Sequence, residues 1–276
     1  MNVSILILTL NEEINIAACL DSVAWSDDVV VFDSYSGDRT LEIARANGAR
    51  IEQRVFDDWS SHQNWAVGNI RFKHPWVLYL DADERCTPEL ADDVRRMAQA
   101  DAAEAAFRIR RRDHFMGTWL KRAQLYPTWL IRLFRPAAIR YSRLVNPVAE
   151  VDGAIGEIQA HIEHYPFSHG VGHWIARHNR YSDMEAREWM NSRAAHALPL
   201  RDLVSADPNN RRAALKEVFY RLPARPVIKF VYYYLVRRGF LDGRAGFTYS
   251  MLQAIYEFMI HLKVNELHRR DKGLPL

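Results

Sequence analysis

From Val3 to Ala98, short apolar runs alternate with segments of helical period, and that alternation constrains the fold more than any other feature of the chain. Val3–Leu10, Asp28–Asp33, Arg50–Arg54 and Trp76–Leu80 read as strands; Ile14–Val23, Arg39–Asn47, Ser61–Ile70 and Pro88–Ala98 read as helices. Strands joined through helices run parallel and need cover on both faces, so the expected class is α/β. After Ala98 the rhythm changes. Ala105–Arg111 and Trp129–Phe134 read as strands around the loop Phe115-Met116-Gly117-Thr118-Trp119. From His173 onward the expectation is helical, with Trp174–Ala197, Arg211–Leu222, Pro226–Arg238 and Phe247–His268 as the segments. The breaker cluster Asp207-Pro208-Asn209-Asn210 divides the chain into a domain over residues 1–206 and a tail over 207–276.

A chain of 276 residues holds one large domain, or one domain with an appendage. Cys19 and Cys86 fit neither a disulfide framework nor a zinc cluster, which points to a reducing compartment. Met1–Leu10 lacks a basic leader and a small-residue cleavage site, so it reads as a first strand and not as a signal peptide. No stretch reaches the roughly 20 apolar residues of a spanning helix. The net charge of +3 is unevenly placed, because Arg201 to Leu276 holds 14 Lys/Arg against 7 Asp/Glu and leaves a mildly acidic body. Those basic residues are interleaved with aliphatic and aromatic runs. This points to an anionic membrane surface as partner and away from nucleic acid.

The sharpest local signal is Trp76-Val77-Leu78-Tyr79-Leu80-Asp81-Ala82-Asp83-Glu84. At the carboxyl end of a parallel strand, side chains open onto the crevice where α/β sheets bind ligands. Two acids there repel one another unless a cation lies between them, and hard oxygen ligands suit Mg2+ or Mn2+ carrying a diphosphate. The same residues also fit a strand ending at a helix start, with Asp83 or Thr87 as N-cap before Pro88. Thr87-Pro88-Glu89 makes such a cap by itself, so Asp81 and Asp83 are not needed for it.

Four motifs carry a resemblance to a known family. They are Ile7-Leu8-Thr9-Leu10-Asn11-Glu12-Glu13, Val30-Val31-Phe32-Asp33-Ser34-Tyr35-Ser36-Gly37-Asp38-Arg39-Thr40, Asp81-Ala82-Asp83-Glu84, and Arg238-Gly239-Phe240-Leu241-Asp242-Gly243-Arg244-Ala245-Gly246. In this order they resemble the family-2 inverting glycosyltransferases, and within them the bacterial lipopolysaccharide-core transferases of the β-1,4-glucosyltransferase kind. The resemblance implies a GT-A fold: a Rossmann-like, mostly parallel sheet with helices on both faces, here followed by a helical membrane-associating tail. It implies a UDP-sugar donor, with Thr9, Asn11, Glu12, Asp33 and Asp81 on the nucleotide and Asp83 as the direct ligand of Mg2+ or Mn2+. Gln63 and Asn64 match a position where the family places polar nucleotide contacts. From the residues alone, Asn11 and Glu12 equally fit a helix start, and Asp33 a turn before Ser36-Gly37-Asp38.

An inverting transfer needs a base for the acceptor hydroxyl. Relatives carry Val-His-Glu after an Arg-Leu-Phe strand; here Asn146-Pro147-Val148-Ala149-Glu150 follows Arg132-Leu133-Phe134, so Glu150 is the candidate base and Ala149 stands where relatives have histidine. Asp113 is a second candidate. Strand alternation puts Arg108, Arg110 and Arg112 on one face, where they could bind acceptor phosphates; a solvated edge strand would carry the same residues. His161, His164, His169 and His173 miss the usual zinc spacings. Arg177 and Arg180, in a segment resembling the helix after the family's catalytic domain, could reach a diphosphate or serve packing. Val227–Val236 and Phe247–Leu262, flanked by Arg221, Arg225, Lys229, Arg237, Arg238 and Arg244, suit helices lying in a headgroup layer, or a hairpin packed on the catalytic domain or a second subunit in a homo-oligomer.

The expectation is therefore a metal-dependent hexosyltransferase, glucose favoured, acting on a lipid-linked saccharide such as lipopolysaccharide core at the inner face of a bacterial inner membrane. A polyprenyl-linked or other envelope glycan as acceptor, and a decayed membrane adaptor on the same scaffold, stay open. A nucleotidyltransferase would want a Gly-rich basic loop after the first strand, and Asn11-Glu12-Glu13 is acidic.

Overall fold

The computed structural model describes residues 2–100, 103–124, 126–142, 147–193, 211, 222 and 224–276. Two compact units result, Met1–Trp119 with Tyr126–Ser168, and Leu120–Leu125 with His169–Leu276. The break expected at Asp207–Asn210 lies outside the described residues, as does the helix expected over Arg211–Leu222 apart from its two end residues. Among the described residues the change of unit falls between Ser168 and His169.

The first unit follows the alternating pattern closely. Its elements are β1 (Val3–Thr9), α1 (Ile16–Ser22), β2 (Val29–Asp33), α2 (Thr40–Ala46), β3 (Arg50–Gln53), α3 (Trp59–Asn69), β4 (Trp76–Asp81), β5 (Glu84–Cys86) and α4 (Pro88–Gln99). Then come β6 (Ala106–Phe115), β7 (Thr118–Trp119), β8 (Thr128–Phe134), β9 (Ile139–Ser142), β10 (Val148–Val151) and β11 (Ile155–His164). The main sheet runs β3-β2-β1-β4-β8-β6-β11-β5, with β7 beside β6, and β9 and β10 form a separate hairpin. Strands β3, β2, β1 and β4 are all parallel. Strand β8 enters antiparallel between β4 and β6, and β11 pairs parallel with β6.

β1 is buried at every position because it is central and covered on both faces. Its odd-numbered apolar residues Val3, Ile5 and Ile7 join a core with Ile16, Leu20, Leu90 and Val94 from α1 and α4. Leu6 and Leu8 point the other way, onto Ala66 of α3 and Ile139 and Tyr141 of the β9–β10 hairpin. The chain steps from β1 to β2 and β3 on one side and returns to β4 on the other, so the tips of β1, β2 and β4 come together at a topological switch point, where open α/β sheets form their ligand crevice. Thr87 caps α4 as the sequence suggested, its Oγ1 accepting from Leu90 N at 3.2 Å.

Asp28 fastens the opposite end of the parallel strands. Its carboxylate accepts from Ser4 Oγ (2.5 Å), Lys73 N (2.8 Å) and Arg50 Nε (3.0 Å). Burial works against its charge, but these donors and the Arg50 cation hold it below the ordinary carboxylate range.

The second unit contains α5 (Gly170–Arg193), α6 (Arg225–Val231) and α7 (Gly243–Asp271). Ala186 of α5 packs on Ile260 and Val264 of α7, and a buried Arg225–Glu257 ion pair joins α6 to α7. The Arg238–Gly246 motif forms the corner into α7. Asp242 accepts the backbone N–H groups of Arg122 and Ala123, both at 2.8 Å, and a Cβ on Gly246 would lie 2.0 Å from the Gly239 carbonyl oxygen.

Two outcomes follow. Gly246→Ala should cost about 1–3 kcal/mol of stability in a denaturant titration, because a methyl there forces the corner apart. Asp28 has a depressed folded-state pKa, so its contribution is present above the unfolded value and lost as pH falls below about 4. Asp28→Asn should therefore lower stability at neutral pH and flatten the acid limb of the stability–pH curve; parallel curves for the two proteins would refute that role.

Candidate active site

The crevice is built from three strand tips and the loops they feed. Register places Thr9 beside Asp33 and Leu8 beside Asp81. The loop after β1 and the loop after β2 are clasped together. Asn11, at φ 56° in the left-handed region that Asn tolerates, accepts from Gly37 N at 2.8 Å and donates its own N–H to Ser36 Oγ at 2.8 Å. Glu12 N donates to Thr40 Oγ1 (2.8 Å), and Glu13 N donates to Asp38 (3.1 Å). Helix α1 starts only at Ile16, so Asn11 is no helix cap. Asp33 is fully buried beneath this clasp. Its carboxylate accepts from Thr9 Oγ1 (3.1 Å), Ser36 N (2.9 Å), Gln53 Nε2 (3.0 Å) and Ser36 Oγ. A ligand donor would have to displace one of these four.

At the tip of β4 the acids are held apart by a cation from within the chain. Arg132 of β8 donates to Asp81 Oδ2 and to Glu84 Oε1, both at 2.7 Å, and lies 4.2 Å over the Tyr79 ring. The Tyr79 hydroxyl donates to Asp81 Oδ1 at 2.7 Å, and Asp81 N donates to Glu84 at 3.0 Å. Glu84 is fully buried, and burial pushes its carboxyl above the ordinary range against the pull of Arg132. Burial also opposes the charge on Arg132, yet Glu84 and Asp81 hold its proton more tightly than water does.

Asp83 faces a different partner. Antiparallel pairing of β11 with β5 sets His164 opposite Glu84, and parallel pairing with β6 sets it beside Asp113. His164 Nε2 lies 3.3 Å from Asp83 Oδ2, and its Nδ1 hydrogen-bonds Asp113. Burial alone would lower the His164 pKa; the Asp83 charge and the Asp113 hydrogen bond outweigh it and raise it to about 9. Asp113 is itself buried and kept below the ordinary range: its hydrogen bond from His164 and the Arg111 guanidinium at 3.2 Å overcome desolvation. Among the described residues no group of three or more His, Cys, Asp or Glu side chains forms a ready-made metal cage.

The remaining expected residues have varied surroundings. Gln63 is buried on α3 and donates to the Tyr79 hydroxyl at 3.2 Å, which ties it to Asp81 through one ring. Asn64 uses both ends of its amide on the Tyr141 backbone at 2.8 Å; in place of the nucleotide contact expected of it, it fastens α3 to the β9–β10 hairpin. Glu150 is exposed on β10 and accepts from Ser142 Oγ at 2.6 Å. Arg108, Arg110 and Arg112 do share a face, but β6 lies between β8 and β11 and is no edge strand. Cys19 and Cys86 are buried free thiols. Arg177, Arg180, His169 and His173 belong to the second unit.

Sequence reasoning passed over Arg132, Arg111 and Glu84, and it set His164 aside. Arg132 and Arg111 sit inside runs read as plain strands. His164 ends a strand that went unread, since Ile158 and Ile162 are spaced four apart, which a helix and a strand share, and Ala160 between them is too small to display the alternation.

A model described as glycosyl transferase family 2 matches residues 4–165. An uncharacterised glycosyltransferase of Rickettsia typhi is 24% identical over 99% of this chain and 89% of its own length. The lipopolysaccharide core biosynthesis glycosyltransferase LpsC of Rhizobium meliloti is 23% identical over 96% of this chain and 92% of its own. Among solved structures, S. aureus TarS 1–349 aligns with a TM-score of 0.44 and 15% identity over 91% of this chain and 90% of that one. Glucosyl-3-phosphoglycerate synthase from Mycobacterium tuberculosis, in complex with Mn2+, uridine diphosphate and glucosyl-3-phosphoglycerate, aligns with a TM-score of 0.35 and 20% identity over 41% of this chain and 44% of that one. The family match runs from the first strand through the one that delivers His164, and the chain belongs to glycosyl transferase family 2.

Proposed function

We propose that this family 2 glycosyltransferase moves a hexose, glucose favoured, from a UDP-sugar to a lipid-linked saccharide such as the lipopolysaccharide core, with inversion at the anomeric carbon and with Mg2+ or Mn2+ bound. The observation that carries this reading is the approach of Asp83 to His164 beside the tip of β4. A carboxylate oxygen of Asp83 and the Nε2 of His164 converge at 3.3 Å, a donor pair that a divalent cation would accept on displacing the imidazole proton, with the Asp113 hydrogen bond to Nδ1 as the usual orienting contact for a ligand histidine.

Asp83 and His164 would hold the cation, which when bound neutralises charge on the departing diphosphate. Arg132 and Tyr79 keep Asp81 fixed at the strand tip, on the ribose side of the crevice. Thr9, Asn11, Glu12 and Asp33 shape the nucleotide end, Asp33 by holding Ser36 and Asn11 by holding Gly37. Gln63 joins them through Tyr79. Glu150 takes the proton of the acceptor hydroxyl as that oxygen bonds to the anomeric carbon and the bond to the diphosphate breaks. Its exposure and its single hydroxyl partner leave a carboxylate oxygen for that proton.

The lipopolysaccharide core as acceptor is supported by the name of the Rhizobium meliloti relative. Among the described residues no helix is long and apolar enough to cross a membrane. Instead Phe247, Met251, Ile255, Phe258 and Leu262 form one exposed stripe along α7, and Val227 and Val231 are exposed on α6. Arginines 237, 238 and 244 lie at the corner between the two helices. Such a face suits peripheral attachment to an anionic bilayer, here the inner face of a bacterial inner membrane.

Calorimetric titration with UDP tests the donor half. Mn2+ should strengthen UDP binding by wild type at least about tenfold, and Asp83→Asn and His164→Gln should abolish that increment while melting within a few degrees of wild type. Equal UDP affinity in EDTA and in Mn2+ would sink the metal assignment. For the base, Glu150→Gln should lower turnover by about 10²–10⁴ with donor KM unchanged; a matching loss of donor affinity would make Glu150 structural.

A further inference from the structure

The face of the sheet that carries Tyr79 and Asp81 continues across β8 onto β6, and there it holds an unbalanced positive charge. Along β6 the period of two separates Ile109, Arg111 and Asp113, on the side of His164, from Arg108, Arg110 and Arg112 on the opposite side. Arg108 is paired with Glu157. Arg112 lies 3.4 Å from Glu163 and 4.3 Å over the Trp119 ring, and Glu163 is also engaged by His114 and, at 2.9 Å, by His161. Glu157 and Glu163, the two acids beside these arginines among the described residues, are therefore committed.

Arg110 has no such partner. Among the described residues it makes no hydrogen bond and no ion pair, and its Nε is buried without an acceptor. Its guanidinium rests 5.7 Å from the ring centre of Trp129, the residue directly across from it on β8. A solvated edge does not explain this, since β6 is interior to the sheet. Arginine has five donors and no acceptor, so a half-buried, unpaired guanidinium calls for an anion from outside the chain. A flat indole beside it provides a surface on which a sugar ring can lie.

We propose that Arg110, flanked by Arg108 and Arg112, binds an anionic group, phosphate or carboxylate, carried by the acceptor saccharide, with Trp129 packing against the sugar that bears it. This rests on the transferase reading above. It makes the acceptor an acidic glycan and assigns its recognition to strand β6.

The test titrates glucose 6-phosphate, glucuronic acid and glucose separately into the full chain saturated with UDP and Mg2+, so that the diphosphate position is already filled. At least one anionic sugar should bind wild type more tightly than glucose does, and which one binds tells phosphate from carboxylate. Arg110→Gln should weaken that binding by about tenfold or more, and Arg110→Lys should restore part of it. UDP affinity should be the same in all three proteins. Arg110→Gln titrating like wild type, or glucose matching both anionic sugars, overturns the proposal. Failure of wild type to bind UDP would strike the donor reading, and the same three sugars titrated into the chain without nucleotide would then decide this one.

Discussion

A buried guanidinium holds the working end of this protein together. Asp81, Asp83 and Glu84 place three carboxylates within four residues, and without a counter-charge that turn would push itself open. Arg132 supplies the charge from a neighbouring strand, reaching Asp81 and Glu84 at once and resting on Tyr79. Burying a charge costs several kcal/mol, and only an arrangement with both acids in direct hydrogen-bond contact offsets that cost. With Asp81 and Glu84 satisfied in this way, Asp83 is the acid of the three that turns toward His164.

The layout of the parallel half was legible in the sequence because β1 and β4 are apolar along nearly their whole length and alternate with helix-forming segments. The second half was legible only where side chains were large. Trp129 to Phe134 announced β8, whereas β11 mixes glutamates and histidines among its apolar residues, and its two buried isoleucines, Ile158 and Ile162, sit at a spacing that decides nothing. The loss was functional as well as structural, since the last residue of β11 is His164. Short strands such as β5 and β7 have too few residues for any period to show.

Site residues divided along similar lines. Thr9 and Asp81 end the neighbouring strands β1 and β4, and Asp83 follows in the turn into β5. Residues chosen for their polarity on a helix or in a loop proved to have partners already, Asn64 on the Tyr141 backbone and Asp33 on Ser36 and Gln53. Sequence shows that a polar side chain is present; it does not show which neighbour has taken its hydrogen bonds. Arg132 illustrates the converse, since a charged residue inside an apolar strand looks like an interruption until a neighbouring segment supplies its acid.

The clasp between the loops after β1 and β2 has a consequence for how fast and how tightly a nucleotide could be captured. Side-chain contacts to backbone amides at Asn11, Glu12, Glu13 and Gly37 fix this rim without help from any bound molecule. Fixing a residue's backbone costs about 1–2 kcal/mol, and here folding has met that cost in advance. A guest arriving at a rigid rim surrenders mainly its own freedom, so preorganisation, more than contact area, would set the strength of its hold.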